Sequence, residues 1–239
     1  MFLSPYYTQT DAGVEISAEQ ASQFAKGVAQ DFNPIHDPDN KRFCVPGDLL
    51  FALTLGRYGL SQSMNFRFEG MVGANAQLQF PQTIGSEFGL KDTREKQYLS
   101  MQREGEVLEN PAVIEAFIRN YVAFSGHNFT DVVLPLMQRH QVMVNPARPL
   151  VIYESMGFDL EHLNLVSPEL ELVNTELEIQ GKRGDATLEF AIKDAGVVVG
   201  TGRKTLVLSG LREICPDAID NMCTIYAQRQ QSYRDGVAV

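Results

Sequence analysis

Asp31-Phe32-Asn33-Pro34-Ile35-His36 places a carboxylate, an amide and an imidazole on one short segment. Pro34 lacks a backbone N–H and keeps the residue before it out of helical dihedrals, so the segment must bend. Asp31 and His36 lie five positions apart across this bend and therefore do not share a helix face. A turn can direct both side chains to one point, and we interpret the segment as a reactive turn.

A helix that is apolar on almost every side is predicted directly after the turn. Val45-Pro46-Gly47-Asp48 leads into a nearly continuous apolar run from Leu49 to Leu55. Because apolar residues cover most of the circumference, the pattern indicates a helix buried on all sides and not an amphipathic one. We predict that this helix extends from Gly47 to about Gln62 and packs beside the turn.

The hydrophobic pattern changes to a two-residue alternation after this helix. Apolar and polar residues alternate at Phe66 and Phe68 and again from Ala76 to Phe80, as in half-buried strands. Two further strands are predicted at 87–90 and 96–103. A buried helix followed by antiparallel strands is the arrangement that a helix wrapped by one curved sheet requires.

The turn and the buried helix resemble the D-x-N-P-x-H segment and the central helix of the MaoC-like, (R)-specific enoyl-CoA hydratases, which have a hotdog fold. The resemblance is clear from Phe24 to Gly59. It implies that Asp31 and His36 hold and activate the water that adds across an α,β-unsaturated acyl thioester, with Asn33 supporting them. One departure is the connection from His36 to Gly47, which at eleven positions is shorter than is usual in those hydratases.

The helices predicted in the first half have counterparts in the second half. Ser17 and Gln20 form a capping-box pattern that predicts the start of an amphipathic helix before the Asp31 turn. The second half has an amphipathic pattern at 113–122, a polar turn at 125–128 and an apolar helix at 132–137. Amphipathic helix, polar turn and buried helix thus occur twice in the same order.

Strands complete the second copy. The best candidate linker between the copies runs from Gly105 to Pro111, because it combines a helix stop with a proline suited to open a helix. A less regular stretch through three prolines follows the second buried helix, and then three strands joined by short turns as a meander are predicted. These strands are centred on 173–179, 186–192 and 197–207.

The repeat, read together with the hotdog resemblance, predicts an α+β fold of the double hotdog type. Two central helices, near Gly47–Gln62 and Thr130–His140, would lie side by side and be wrapped by a continuous antiparallel sheet. Residues 1–108 would form the first hotdog repeat, which carries the D-x-N-P-x-H turn. Residues 109–239 would form a second, degenerate repeat and end in a helix at Cys215 to Arg234 docked on the surface.

Hydration of an enoyl thioester needs a base for water, a proton for C2 and donors for the thioester oxygen. Asp31 and His36 are the predicted catalytic residues. Asn33, Gly47 and Asp48 are predicted to bind substrate. The resemblance implies this supporting role for Asn33, and the backbone amides near Gly47 and Asp48 point outward from a helix start with partial positive charge. The Asp48 side chain is interpreted as a residue matched to the helix dipole. No cofactor is expected beside the acyl-CoA or acyl carrier protein thioester that serves as substrate.

Three weaker motifs are assigned structural roles. His127 and Asn128 occupy the second polar turn, but no Pro-x-His follows, so we interpret them as a degenerate site or a plain loop. The glycines of Gly196 to Thr205 match neither a phosphate-loop nor a dinucleotide spacing, which favours a hairpin strand. His and Cys residues do not have metal-ligand spacing, and a metal site is not predicted.

Composition narrows the classes of partner. The chain has 30 acidic and 20 basic residues, a formal charge of −10, and a nucleic-acid partner would require a positive stripe that is missing. The longest apolar run is far shorter than the roughly 20 residues that span a bilayer, so no membrane partner is predicted. The sparse, odd set Cys44, Cys215 and Cys223 indicates a reducing compartment, which we expect to be the cytoplasm.

Three functions stay open from the sequence. The first is an enoyl-CoA hydratase or dehydratase, a lyase. The second is an acyl-CoA thioesterase, since a carboxylate-activated water on the same scaffold can attack the carbonyl. The third is a non-catalytic acyl-thioester-binding or structural double hotdog, which the short connection after His36 makes credible. The chain is expected to be a monomeric pseudo-dimer or a homodimer.

Overall fold

The first half begins with strands β1 (Thr8–Thr10) and β2 (Gly13–Glu15) and helix α1 (Ala18–Phe24). In this computed structural model, which describes residues 2–236, the predicted capping box is formed. Ser17 Oγ accepts a hydrogen bond from the Gln20 amide, and the Gln20 side chain accepts one from the Ser17 amide. A π-helical stretch at Ala25–Ala29 continues α1 to the Asp31 turn.

The central helix of the first half is α2 (Gly47–Tyr58), which is buried from Asp48 to Leu55 as its composition predicts. It ends before Gln62 because Gly59 adopts φ +84° and turns the chain into the sheet. The strands that follow are β3 (Leu60–Phe68), β4 (Leu78–Gln79), β5 (Glu87–Asp92) and β6 (Gln97–Leu108). The predicted linker at 105–111 was therefore wrong in its first part, since the end of β6 pairs with the start of β3.

The second half contains three helices and six strands within the described residues. They are α3 (Pro111–Gly126), α4 (Leu134–His140), β7 (Val142–Met143), β8 (Val151–Leu160), β9 (Pro168–Gln180), β10 (Arg183–Asp194), β11 (Val197–Ser209), β12 (Arg212–Glu213) and α5 (Pro216–Arg234). The meander and the terminal helix match the sequence prediction. The sequence prediction missed strand β8. Its first five residues are all half-buried, so they lack the alternation of apolar and polar residues on which the prediction relied.

One ten-stranded sheet connects the two halves. Its order is β1-β2-β4-β5-β6-β3-β8-β11-β10-β9, and each neighbouring pair is antiparallel. The halves meet at its centre, where Ser63–Arg67 of β3 pairs with Ser155–Asp159 of β8. The chain is thus an α+β double hotdog with a continuous antiparallel sheet, as predicted.

Two apolar clusters fill the space under the sheet. One surrounds α2 and includes α3, whose Tyr121 ring lies 4.5 Å from that of Phe51. The other surrounds α4 and includes Ile219 of α5. Helix α2 packs most closely on α3 and not on α4, so the predicted side-by-side pair was wrong. Helix α3 follows the predicted boundary at 108/109 but packs in the first cluster. The division into two repeats at this boundary stays a prediction. No helix among residues 2–236 is long and apolar enough to cross a bilayer.

Candidate active site

The Asp31 turn is shaped by local hydrogen bonds. Gln30 has left-handed dihedrals (φ 59°) and ends the π-helical stretch. Asp31 Oδ1 accepts a hydrogen bond from the Asn33 amide at 2.9 Å, and Asn33 Oδ1 accepts one from the Ile35 amide at 3.1 Å. Such Asx contacts make a turn rigid. Asn33 therefore acts on the site by fixing the turn, with its side-chain oxygen already engaged.

Asp31 and His36 meet at one wall of a cavity. His36 Nε2 lies 3.5 Å from Asp31 Oδ2, and His36 Nδ1 lies 2.7 Å from the Cys44 carbonyl oxygen. A carbonyl can only accept, so Nδ1 carries the proton and the neutral ring presents Nε2 as an acceptor. Burial lowers the pKa of His36, but the hydrogen bond and charge of Asp31 outweigh it and leave that pKa above its usual value. A molecule that donates two protons, such as water, can lie on the cavity side of this pair and donate to both Nε2 and the carboxylate.

The cavity, of about 950 Å³, lies between this turn, the start of α2, strand β8 and helix α5. Gly47 lines it, and a Cβ there would be in tight contact with its neighbours, 3.0 Å from the Phe68 ring and 3.3 Å from the Tyr153 ring. The amides of Gly47 and Asp48 are in the first turn of α2 and have no intrahelical acceptor. Gly47 lines the cavity, so its amide is available to hold an oxygen of a ligand, whereas Asp48 does not line it.

The Asp48 side chain does not match the sequence interpretation. Its carboxylate faces the interior, where Oδ2 accepts a hydrogen bond from Ser125 Oγ at 2.6 Å and Oδ1 lies 3.7 Å from Lys204 Nζ. Lys204 also donates to Ser125 Oγ. Burial raises the pKa of Asp48 and lowers the pKa of Lys204, while their mutual attraction opposes both shifts. Asp48 is therefore part of a buried charge cluster, and only its backbone amide remains a candidate for substrate binding.

Tyr153 connects this cluster to the cavity. Its hydroxyl lies 3.1 Å from Ser125 Oγ, and Lys204 Nζ lies 3.5 Å from the centre of its ring. Burial and the charge of Asp48 raise the pKa of Tyr153 well above its usual range, so the phenol stays neutral. Sequence reasoning missed Ser125, Tyr153 and Lys204 as site residues. For Lys204 the available signal was its position in β11, where it shares the inward parity of Leu206 and Leu208.

A close backbone contact brings the Asp31 turn and the Asp48 cluster together. A Cβ on Gly126 would lie 1.7 Å from the Ala29 carbonyl oxygen, so the end of α3 touches the π-helical stretch directly. The turn that carries Asp31 begins two residues after Ala29, and Ser125 precedes Gly126. This contact therefore sets the Asp31 turn beside the Asp48 cluster.

Charged residues and helix α5 border the cavity opening. Lys41, Arg42 and Arg148 line it and are exposed, and within residues 2–236 they form no ion pair. Arg229 of α5 pairs with Asp37 at 2.5 Å and attaches the helix to the turn region. Across the part of the chain that is described, no three His, Cys, Asp or Glu side chains are placed to hold a metal ion.

Solved structures with a similar fold differ strongly in sequence. The acyl-CoA thioesterase II TesB2 of Mycobacterium marinum has a TM-score of 0.40 at 9% identity, covering 90% of this chain and 98% of its own. A hot dog fold protein of Alicyclobacillus acidocaldarius has a TM-score of 0.41 at 8% identity, covering 87% and 98%. The tesB protein of Mycobacterium avium subs paratuberculosis has a TM-score of 0.39 at 8% identity, covering 71% and 89%.

Sequence comparison gives a family assignment without an activity. No curated protein matches the chain in sequence. One family model, described as protein of unknown function (DUF3581), matches residues 1–217, which include the Asp31 turn, the Asp48 cluster and the whole ten-stranded sheet. The chain belongs to the DUF3581 family.

Proposed function

We propose that this protein is an acyl-thioester enzyme that adds water to, or removes it from, the α,β double bond of an enoyl thioester. The observation that carries the proposal is the 3.5 Å approach of His36 Nε2 to Asp31 Oδ2 at the wall of a large cavity. Two acceptors at this separation can orient one water by its two protons. The hydration of a conjugated thioester needs an activated water held in this way.

In the proposed reaction, His36 and Asp31 together remove a proton from the water as its oxygen bonds to C3. Negative charge then develops on the thioester oxygen. In this proposal the amides of Gly47 and Asp48 stabilise that charge, because a helix start presents donors and a positive partial charge. The proton taken from water is returned to C2, so that H and OH add across the double bond. Dehydration is the reverse of these steps.

The charged residues at the cavity opening support a substrate whose acyl thioester is attached to a phosphate-bearing carrier. The protein has a formal charge of −10, yet the opening is lined by Lys41, Arg42 and Arg148, which form no ion pair with any residue from 2 to 236. Such a group of cations attracts anions locally in spite of the overall charge. The phosphates of coenzyme A, or of a carrier protein's prosthetic arm, suit this opening while the acyl chain enters the apolar interior.

The test is to incubate the purified protein with crotonyl-CoA and with longer enoyl-CoAs. The conjugated thioester absorbance and the release of free thiol are followed together, with heat-inactivated protein as the control. Hydration predicts loss of the absorbance without release of thiol. Release of thiol at the same rate would replace the hydratase proposal with the thioesterase function. If neither loss of absorbance nor release of thiol occurred with any acyl chain length, the protein would be interpreted as a non-catalytic binding protein.

A further inference from the structure

Helix α5 contacts the reactive turn next to Asp31. The ring of Phe32, the residue after Asp31, lies edge-on against the rings of Tyr226 and Tyr233, with ring centres 6.0 and 5.8 Å apart. Phe32 is buried but belongs to neither of the two apolar clusters under the sheet. Two aromatic side chains of α5 therefore hold this side of the turn in place.

A second contact of α5 lies next to His36. Asp37, the residue after His36, is buried, and each of its carboxylate oxygens faces a cation. Oδ1 lies 3.0 Å from Lys26 Nζ, and Oδ2 accepts a hydrogen bond from Arg229 Nη1 at 2.5 Å. Lys26 belongs to the π-helical stretch that precedes the turn. The Asp37 carboxylate therefore joins the two ends of the turn to each other and to α5.

Arg229 is not required to neutralise Asp37. The Lys26 side chain is 4% exposed and already compensates the single buried carboxylate. The Arg229 side chain is 26% exposed and comes from a helix in which, within residues 216–234, only Ile219 and Tyr226 are buried. The second cation therefore attaches a mostly exposed helix to the turn and is not needed for charge balance.

We propose that Arg229 is a positioning residue for the hydration reaction. Through Asp37 it holds α5 against the reactive turn and keeps His36 Nε2 at its distance from the Asp31 carboxylate. The chemistry of this role rests on the proposed function, since the pair that Arg229 positions is the pair that acts on water. Positioning matters because a displacement of about 1 Å at a reacting group can lower a rate by about 10²-fold.

Arg229 also lines the cavity, so a direct contact with a substrate phosphate is the alternative role. The experiment therefore measures hydration of crotonyl-CoA and of crotonyl-pantetheine, which has the same acyl group and arm but no phosphate. Arg229→Gln should lower kcat for both substrates by about tenfold or more, as expected for a displaced catalytic group. Arg229→Lys keeps the cation and should retain most of the rate.

A second measurement does not depend on activity. An NMR titration of the His36 ring proton, identified by its absence in His36→Asn, reports the pKa of His36. Burial lowers this pKa, but Asp31, helped by the Cys44 carbonyl and the charge of Asp48, raises it above the usual value. If Arg229→Gln loosens the turn, the pKa should fall towards about 6.5. Loss of the Arg229 charge alone would raise it.

The control is Arg234→Gln. Arg234 lies on the same helix, is exposed, does not line the cavity and forms no ion pair within residues 2–236. This variant should leave kcat and the pKa of His36 unchanged. Arg229→Gln should melt close to the wild type, because Asp37 keeps Lys26 as its counter-charge.

The remaining outcomes separate the positioning role from the proposed function. An unchanged or raised pKa of His36 in Arg229→Gln, or the same changes in Arg234→Gln, would refute the positioning role while the proposed function stands. Loss of rate with crotonyl-CoA alone would also refute it and identify Arg229 as a phosphate-binding residue. A lowered pKa of His36 in Arg229→Gln, with no hydration of either substrate by the wild type, would support the positioning of the pair and refute the proposed function.

Discussion

His36 and Asp31 each combine a structural contact with a chemical one. His36 Nδ1 bonds to the Cys44 carbonyl while Nε2 faces the cavity, and Asp31 Oδ1 accepts the Asn33 amide while Oδ2 faces Nε2. Substitutions that keep the structural contact can therefore isolate the chemical one. An asparagine at position 36 can still donate to Cys44, and an asparagine at position 31 can still accept from Asn33.

We expect Asp31→Asn and His36→Asn each to lower the rate of enoyl-CoA hydration by about 10² or more, because a general acid or base contributes that much. The double variant should be little slower than the worse single variant, since both groups act on one proton path. The melting temperature should hardly change. Loss of stability in His36→Asn without a specific loss of activity would instead identify His36 as a loop anchor.

The raised pKa of His36 predicts opposite pH dependences for stability and activity. A group whose pKa is higher in the folded state stabilises the fold fully below its unfolded value of about 6.5, and this contribution is lost as pH rises through the folded value. The difference in unfolding free energy between wild type and His36→Asn should thus be largest in mild acid and fall with rising pH. Hydration needs neutral Nε2 and should increase over the same range. Denaturant titrations and initial rates across this pH range measure both.

At the level of secondary-structure elements, the buried charge cluster connects two helices and two strands. Asp48 belongs to α2, Ser125 to α3, Tyr153 to β8 and Lys204 to β11, and the first, second and fourth are at most 1% exposed. Their mutual contacts hold the start of α2 against the sheet. The position of the Gly47 amide at the cavity wall therefore depends on this cluster.

Removing one charge of the cluster should be costly. Lys204→Met leaves the Asp48 carboxylate buried without its cation, and we expect the free energy of unfolding to fall by about 3–5 kcal/mol. The double variant Asp48→Leu/Lys204→Met should recover much of this loss, because apolar replacement of a whole buried pair is often neutral. Denaturant unfolding measures both. Lys182→Met, at an exposed turn, is the matched control and should have no effect, and an equally small loss in Lys204→Met would contradict the role of the cluster.

At the scale of the whole molecule, both halves of the chain build one cavity. The first half supplies Asp31, His36 and Gly47, and the second supplies Asn128 and Tyr153. The second polar turn lacks a Pro-x-His element. It forms part of the cavity wall and does not provide a second pair equivalent to Asp31 and His36. Helix α5, which lies almost wholly beyond the residues matched by the family model, closes another side through Tyr226, which packs on Phe32.

We therefore expect one binding site per chain. Calorimetric titration with S-butyl-CoA should saturate at one equivalent per chain, because only one reactive turn faces a cavity of this kind within residues 2–236. Asp31→Asn should keep this stoichiometry, because the role proposed for the carboxylate is to act on water and not to close the cavity. Two equivalent sites per chain would contradict the asymmetry of the halves.

The sequence by itself determined the features whose physical causes lie within a few residues. The capping box at Ser17, the bend at Pro34, the burial of α2 and the meander of β9 to β11 all follow from local hydrogen bonds, fixed dihedrals or hydrophobic period. These causes act within one turn or one hairpin, so the pattern of residues records them. The order of these elements, together with the family resemblance, was enough to predict the double hotdog.

Only the tertiary structure decided which distant side chains meet. Strand β8 lacks an alternating pattern at its start, and its pairing with β3 places it at the centre of the sheet. The contacts of Ser125 with Asp48 and Lys204 join residues 77 and 79 positions apart, and no local pattern encodes such a pair.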